Sequence, residues 1–175
     1  MCAIIIRVIA STTYFNLLCK STLKTSLSIM ATRFIELDCF NVGESLKCVY
    51  KAPGKGRCTI NLKTASGDVA LHHDVRYDWS DSKNVLVLNT WHGGSWGIEE
   101  RPKGFDFTDG ISVEVVIIAR ENGFDTYCND KFITTYKYRH GLTAASVKKI
   151  EWIPEMKGAT VKLDVKCHKF EITYD

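Results

Sequence analysis

From Phe34 onward the chain repeats one pattern, in which short segments of alternating side chains are separated by turn residues. In the segment SLKCVYKA, for example, Leu46, Cys48 and Tyr50 share one face of the expected strand, and the glycines of GKG follow. Short segments rich in Val, Ile, Thr and Tyr at regular spacing are typical of an all-β sandwich or barrel. The three prolines lie near expected strand ends or turns, so no ladder is interrupted. No helix of useful length is predicted.

Length and composition fit one globular domain. A chain of 175 residues suffices for a single packed core, and 45% apolar with 25% charged residues is ordinary for a soluble protein. The net charge of +3 comes from scattered lysines, which argues against nucleic-acid binding. The 7 cysteines have irregular spacings and no C-x-x-C, so we expect thiols in a reducing cytoplasm rather than a zinc site or disulfide scaffold.

Residues 1–29 differ from the rest of the chain, because they contain no acidic residue and no turn-bounded alternation. Arg7 interrupts their apolar run and Ser11 follows too soon for the core of a signal peptide. The run is also too short to span a membrane. We expect residues 1–29 to be a poorly ordered extension of a domain at 30–175. A docked extra strand or helix is the second interpretation, and a cryptic export signal is the third.

Polar and charged side chains concentrate between residues 70 and 101, on what the alternation predicts to be neighbouring strands. On a strand, His72, Asp74 and Arg76 point to the same face, which is therefore not a core face. The following strands would add an amide, an indole and a further ion pair beside them. The candidate set is His72, Asp74, Arg76, Asn89, Trp96, Glu99 and Arg101.

The candidate set suits a sugar. A flat aromatic ring covers the apolar C–H face of a pyranose, and the hydroxyls need donors and acceptors at fixed positions. Stacking galactose on Trp96 would direct its axial 4-hydroxyl towards the polar strand. Arg76, held between Asp74 and Glu99, would offer a rigid fork of donors, and Arg101 would hold Glu99 as an acceptor. The sequence therefore predicts a carbohydrate-binding site.

Three segments resemble the motif of the galectins, the β-galactoside-binding lectins, which is H-x-N-x-R, then V-x-N, then W-G-x-E-x-R. Here they are HHDVR at 72–76, VLN at 87–89 and WGIEER at 96–101, and the gap TWHGGS has the family's length. The resemblance extends over roughly 30–175. It implies a concanavalin A-like jelly-roll sandwich of two antiparallel sheets, a sugar on the concave face, and no metal or cofactor. The ligands that it implies are His72, Arg76, Asn89, Trp96, Glu99 and Arg101.

One position departs from that motif, because Asp74 stands where the family has asparagine. An amide both donates and accepts, whereas an ionised carboxylate only accepts. If the missing amide donor limits binding, Asp74→Asn should raise the affinity for lactose. His73 and Val75, where an aromatic residue and a proline are common, are expected to be outward or supporting changes.

The remaining residues with site chemistry are expected to be structural. Glu100 points away from Glu99 on a strand and should be solvated. The other histidines and tryptophans, expected to serve the core, strand edges or loops, are His73, His92, His140, His168, Trp79, Trp91 and Trp152.

The function that we predict is a non-enzymatic lectin for β-galactoside-containing glycans, without membrane insertion. The resemblance implies a cytoplasmic protein that can also leave the cell without a signal peptide, and a homodimer as one assembly. A galectin-like protein-interaction module with weakened or altered glycan binding remains an alternative. A glycoside hydrolase is a further one, but the arginines beside Asp74 and Glu99 favour the ionised carboxylates, which suits no general acid. A calcium lectin lacks the necessary oxygen cluster.

Overall fold

The computed structural model describes residues 4–7, 16–17, 23–24, 33–51, 55–104, 112–155, 160–165 and 168–173. Within these ranges the chain forms 15 strands and one short 3₁₀ turn, Ala144–Ser146. The strands are β1 (Ile4–Arg7), β2 (Asn16–Leu17), β3 (Leu23–Lys24), β4 (Arg33–Leu37), β5 (Ser45–Lys51), β6 (Gly56–Thr64), β7 (Val69–Trp79), β8 (Ser82–His92), β9 (Ser95–Trp96), β10 (Ser112–Arg120), β11 (Gly123–Cys128), β12 (Lys131–Lys137), β13 (Val147–Glu155), β14 (Thr160–Val165) and β15 (His168–Thr173).

The strands form two sheets. The first sheet has the order β2-β1-β4-β13-β6-β7-β8-β9, and the second has the order β12-β11-β10-β5-β14-β15-β3. Neighbours are antiparallel, apart from the short parallel pair of β15 with β3. The predicted all-β sandwich of two sheets is confirmed. In the part of the chain that the structure describes, no helix is long and apolar enough to cross a membrane.

The two sheets share one apolar core. On β6 of the first sheet Cys58, Ile60 and Leu62 are fully buried, as the alternation predicts. On β10 of the second sheet Val115 and Ile117 are buried in the same cluster. Burial of each large side chain of this kind contributes about 1.5–3 kcal/mol to folding. This core fixes the distance between the sheets and leaves the outer face of the first sheet to polar residues.

The described cysteines belong mainly to this core. Cys48, Cys58 and Cys128 are buried, Cys39 is partly exposed, and none of the four forms a disulfide. Buried thiols pack as small apolar residues, as expected from the sequence. The others, Cys2, Cys19 and Cys167, lie outside the described residues.

Part of the N-terminal extension is paired with the domain. Strand β1 lies antiparallel against β4, with Ile4 opposite Leu37 and Arg7 opposite Phe34. Strand β3 pairs with β15, with Leu23 opposite Phe170. At these positions the extension adds strands to the two sheets, and the expectations for residues 1–29 as a whole stay predictions. The rest of the extension lies outside the described residues.

Strand β7 separates core residues from site residues. His73 and Val75 are fully buried and Tyr77 is nearly so, because these positions face the second sheet. Of the two expectations for His73 and Val75, an outward or a supporting position, the structure shows the supporting one. The alternate positions, His72 and Arg76 among them, consequently face away from the core.

Candidate functional site

The predicted site residues lie on β7, β8, β9 and the segment that follows β9. Cross-strand register places His72 opposite Asn89 and Arg76 opposite Val85. Strand β9 then pairs with β8, and Trp96 lies opposite Trp91. The surface shared by these side chains is the outer face of the first sheet, as the three sequence segments predict.

Trp96 is the exposed aromatic ring of the site. Its side chain is 49% exposed although it is flanked by two other rings. The ring centroid of His72 lies 4.7 Å from that of Trp96. The indole of Trp91 contacts Trp96 edge to face, with 5.3 Å between the ring centroids. The β8–β9 hairpin that presents Trp96 turns at Gly93 and Gly94, whose positive φ angles of 59° and 86° favour glycine. The ring is thus held in place with one part open to solvent.

The carboxylate of Asp74 is buried among hydrogen-bond donors. Thr59 Oγ1 donates to Oδ1 at 2.8 Å, and Arg76 Nε donates to Oδ2 at 2.8 Å. Arg57 Nη1 and His72 Nε2 lie 3.8 Å and 3.7 Å from Oδ2. The side chain has no exposed surface. In this position it orients its neighbours, and a sugar would meet those neighbours first.

The electrostatics of Asp74 follow from this environment. Burial raises the pKa of its carboxyl, but the hydrogen bonds from His72, Arg76 and Thr59, together with the charge of His72, outweigh burial and lower the pKa to about 2. Asp74 is therefore ionised at neutral pH, as the sequence predicts from its arginine neighbour.

Arg76, Glu99 and Arg101 form a chain of ion pairs across the exposed part of the site. Arg76 Nη2 lies 3.4 Å from Glu99 Oε1. Arg101 donates to Glu99 Oε2 from Nε at 3.0 Å and from Nη2 at 2.8 Å. Exposed ion pairs contribute about 0–1 kcal/mol to stability. The pairs fix the orientation of the two guanidinium groups and of the carboxylate between them.

The tautomer of His72 follows from a second network. Asn61 donates from Nδ2 to Glu151 Oε2 at 2.7 Å, so its Oδ1 is the atom 2.7 Å from His72 Nδ1. An amide oxygen only accepts, and Nδ1 of His72 must therefore carry the hydrogen. In the neutral ring Nε2 is then a hydrogen-bond acceptor. In the protonated ring Nε2 carries a hydrogen and lies 3.7 Å from Asp74 Oδ2, and this is the form that lowers the pKa of Asp74.

Asn89 is engaged with the backbone. Its side chain is 3% exposed, its Nδ2 donates to Gly97 O at 3.0 Å, and its Oδ1 accepts from Thr90 N at 2.8 Å. The structure thus places Asn89 beneath the segment that follows Trp96. The chain after β9 folds back over this position, which explains why the amide is buried.

Several residues of the site lie on strands that the sequence does not connect with it. Strand β6 supplies Arg57, Thr59 and Asn61, which occupy the positions alternate to its buried face. The polar alternation in RCTINLKT is the signal that could have placed them on the site face. Arg139, from the turn after β12, donates from Nη2 to Glu100 Oε1 at 2.6 Å. Glu100 is therefore paired, and its side chain is also 42% exposed, which agrees with the predicted solvated position.

The remaining histidines and tryptophans have other contacts. His92 Nδ1 lies 3.3 Å from Asp68 Oδ2, and the His92 ring stacks on that of His140 with 4.9 Å between the ring centroids. Arg57 lies over the ring of Trp79 at 4.6 Å, and Trp152 is buried. These residues have structural contacts, as expected. The side chain of His168 is outside the part that the structure describes.

Comparisons with known proteins show what this chain is similar to. The family model described as galactoside-binding lectin matches residues 35–162. Galectin b of Aplysina lactuca is 32% identical over 114 residues, which cover 61% of this chain and 78% of that protein. Galectin-7 of Homo sapiens is 36% identical over 115 residues, covering 64% of this chain and 76% of that protein. A tetrameric galectin from the sponge Cinachyrella sp. superposes with a TM-score of 0.65 and 34% identity, over 77% of this chain and 96% of that structure.

Proposed function

The chain belongs to the galactoside-binding lectin family, and on this premise we propose that it binds β-galactosides on the outer face of its first sheet. The observation that carries the proposal is the half-exposed indole of Trp96 beside His72 and the paired Arg76 and Glu99. These groups lie on one surface, and together they match the two sides of a galactose ring, which is apolar on one face and rich in hydroxyls at its edge.

Stacking on Trp96 supplies the apolar part of recognition. Galactose presents a patch of C–H groups that an aromatic ring covers. Because the indole is flanked by Trp91 and His72, it loses little freedom when the sugar binds, which keeps the entropic cost of binding low. A sugar on this ring would have its axial hydroxyl near His72 and Arg76.

Hydrogen bonds supply the specificity. Nε2 of His72, an acceptor in the neutral ring, can accept from the 4-hydroxyl of galactose, and the Nη atoms of Arg76 can donate to the same oxygen. Glu99, held by Arg101, can accept from a neighbouring hydroxyl. In this proposal Asp74 acts through Arg76 and His72, and Asn89 acts through the backbone after Trp96.

In this proposal protein side chains alone bind the sugar, without a metal ion. Among the described residues there is no group of three or more His, Cys, Asp or Glu that could hold a metal ion. The arginines, His72 and Glu99 already provide both the donors and the acceptors that a sugar hydroxyl needs. We therefore propose a site that works without a metal or other cofactor. Dialysis against a chelator should leave the affinity for lactose unchanged.

We also propose that the protein is not a glycosidase. A hydrolase needs one carboxyl with a raised pKa as general acid, whereas the pKa of Asp74 is lowered to about 2. A chromogenic β-galactoside tests this point, because steady turnover that is lost in Glu99→Gln would contradict it.

Direct titration tests the lectin proposal. Calorimetry with lactose should give a dissociation constant of about 10 μM to 1 mM, which corresponds to about −4 to −7 kcal/mol. Linked sites would add avidity for multivalent glycoconjugates. Sucrose, which has no galactose, is the matched control ligand. Equal binding of both disaccharides, or of neither, would contradict the proposal.

A second candidate function rests on Asp74. The buried carboxylate replaces an amide, and a protein-interaction module with weakened or altered glycan binding would tolerate this change. A glycan array distinguishes the two functions, since retention of no galactoside at any concentration favours the interaction module. Retention of a particular galactoside would instead identify the preferred glycan.

For localisation we propose the cytoplasm, with release from the cell by a route that uses no signal peptide. The described cysteines are thiols, three of them buried, which fits a reducing compartment. Fractionation of cells that express the full chain, with the medium assayed for uncleaved protein, tests both parts. A cleaved N-terminus on protein in the medium would contradict the release route.

A further inference from the structure

The backbone after Trp96 leaves the regular sheet and returns to it at Glu100. Gly97 N donates to Thr90 O at 2.9 Å, and Leu88 and Glu100 exchange two backbone hydrogen bonds of 2.8 Å. Residues 97–99, which we call the arch, span the interval between these anchors. Ile98, at the centre of the arch, is 83% exposed, so its side chain does not hold the arch by packing.

The arch is held instead by Arg139, whose side chain reaches it from the turn after β12 of the second sheet. Arg139 Nη1 donates to Ile98 O at 2.6 Å. Arg139 Nη2 donates to Glu100 Oε1 at 2.6 Å, where the arch ends. One planar guanidinium thus contacts the centre and the end of the arch, a geometry that a single ammonium cannot reproduce.

The guanidinium of Arg139 is held in place by Tyr136 and, through it, by Thr90. This group lies 4.7 Å from the ring of Tyr136, and the buried Tyr136 is hydrogen-bonded through its hydroxyl to Thr90 Oγ1 at 2.7 Å. Thr90 is also the residue whose carbonyl accepts from Gly97. The contacts run from Arg139 to Tyr136, from Tyr136 to Thr90, from Thr90 to Gly97 in the arch, and from the arch back to Arg139. The position of Arg139 and that of the arch are therefore linked.

Close packing at Gly97 adds a third observation. A Cβ atom there would lie 3.2 Å from Asn89 Oδ1 and 3.3 Å from Arg139 Nη1. Any larger residue at this position would require Asn89 or Arg139 to shift by a few tenths of an ångström, because both side chains approach the backbone closely. The arch has little room to shift while both side chains remain in place.

We propose that Arg139 is a positioning residue of the galactoside site, an inference that rests on the proposed function. It holds residues 97–99 so that Trp96, before the arch, and Glu99, within it, stand beside His72 and Arg76. Arg139 is assigned no contact with the sugar. Its removal changes binding through the position of the indole and the carboxylate.

The test combines affinity with a signal from Trp96. The full chain is labelled with 5-fluorotryptophan, which gives one ¹⁹F resonance for each of its 4 tryptophans, and Trp96→Phe assigns the resonance of interest. Arg139→Ala should shift the Trp96 resonance, leave that of the buried Trp152 in place, and weaken lactose binding by about tenfold, or about 1.4 kcal/mol. Arg139→Lys keeps the charge but offers a single donor nitrogen, so it should recover part of the lost affinity.

Arg120→Ala is the matched control, because Arg120 also pairs with a carboxylate, Asp125, at 2.6 Å but lies on the second sheet. It should change neither the Trp96 resonance nor the affinity. An unmoved Trp96 resonance in folded Arg139→Ala overturns the inference, and Arg139→Lys gives the same comparison if the alanine variant does not fold. If the wild-type protein does not bind lactose, the proposed function is refuted. The shift of the Trp96 resonance in Arg139→Ala then still tests whether Arg139 positions Trp96.

Discussion

The imidazole of His72 and the indole of Trp96 lie 4.7 Å apart, with their planes tilted by 57°. The two residues come from β7 and β9, which are separated in the first sheet by β8. Their contact places the apolar indole of Trp96 directly beside the ring nitrogens of His72 in one site. A ligand that uses both must combine an apolar face with a hydroxyl at its edge.

Trp96→Ala should abolish retention on a galactose resin while leaving the fold intact. The change removes the platform, but the ring is half exposed and supports little of the core. Loss of aromatic stacking and of its buried area should weaken lactose binding by at least about 2 kcal/mol. Calorimetry measures the affinity, and thermal unfolding followed by circular dichroism measures the stability.

Phe132→Ala is the control for Trp96→Ala, because Phe132 is an aromatic residue of the second sheet whose exposure, 50%, is close to the 49% of Trp96. It should be retained on the resin like the wild type. Normal retention of a folded Trp96→Ala protein would show that this surface is not the sugar site.

Asp74→Asn should lower both stability and lactose affinity. The sequence alone predicts a gain in affinity from a restored amide donor, but the side chain is fully buried and an amide there would meet Arg76 and Thr59 before any sugar. Removing one partner of a buried ion pair costs about 3–5 kcal/mol, and Arg76 loses the contact that orients it. Urea unfolding and lactose titration of the same preparation measure the two effects.

Asp125→Asn is a close match for Asp74→Asn, since Asp125 accepts from Arg120 Nε at 2.6 Å and from Thr135 Oγ1 at 2.6 Å on the second sheet. We expect this variant to lose stability and keep its affinity. Tighter lactose binding by Asp74→Asn would mean that the missing amide donor, and not the orientation of Arg76, limits the site.

Acid should destabilise the protein between about pH 6.5 and pH 4 through His73. Burial lowers the pKa of this imidazole to about 4; the charge of Asp74 opposes the shift and that of His72 adds to it. Neither ring nitrogen has a hydrogen-bond partner among the described residues. Below pH 6.5 the unfolded chain binds a proton that the folded chain does not, so the free energy of unfolding falls by up to about 3 kcal/mol by pH 4.

His73→Phe should remove most of this pH dependence, because phenylalanine has no proton to bind. Urea unfolding at a series of pH values from about 7 to 4 measures the effect in both proteins. The loss of stability that comes from Asp74 occurs at lower pH, between its ordinary pKa of 3.8 and about 2. Parallel curves for the wild type and His73→Phe would exclude His73 as the source.

Ile6→Pro should increase self-association. Ile6 lies between Leu17 of β2 and Ile35 of β4, and a proline removes the N–H that one of these ladders needs. Without β1, strand β4 becomes an open sheet edge, which favours pairing with a second chain. Light scattering after size-exclusion chromatography measures the mass. Ile6→Val keeps the N–H and should behave like the wild type; equal masses for all three proteins would contradict the prediction.

The strand pattern and the site face could be predicted from the sequence because both depend on local alternation. On β7, the burial of His73 follows from the period of two, and so does the outward direction of Arg76. The three-part motif then predicted which of these side chains belong to one site. Both predictions use information contained within single strands or short connected segments.

The supporting residues could not be predicted because they depend on which strands become neighbours. Thr59 reaches Asp74 through pairing of β6 with β7, and Arg139 reaches Ile98 from the other sheet. No local pattern specifies such distant contacts. The burial of Asp74 has the same origin, since it results from donors on β6 that the segment at 72–76 does not contain.

The sealed position of Asp74 has a consequence for the ionic environments in which the site can work. Dissolved ions screen exposed charges over about 8 Å at physiological ionic strength, but they screen buried pairs far less. The attraction between this carboxylate and Arg76 is therefore shielded from added salt by the protein itself. The arginine should keep its orientation in dilute buffer and in concentrated brine alike.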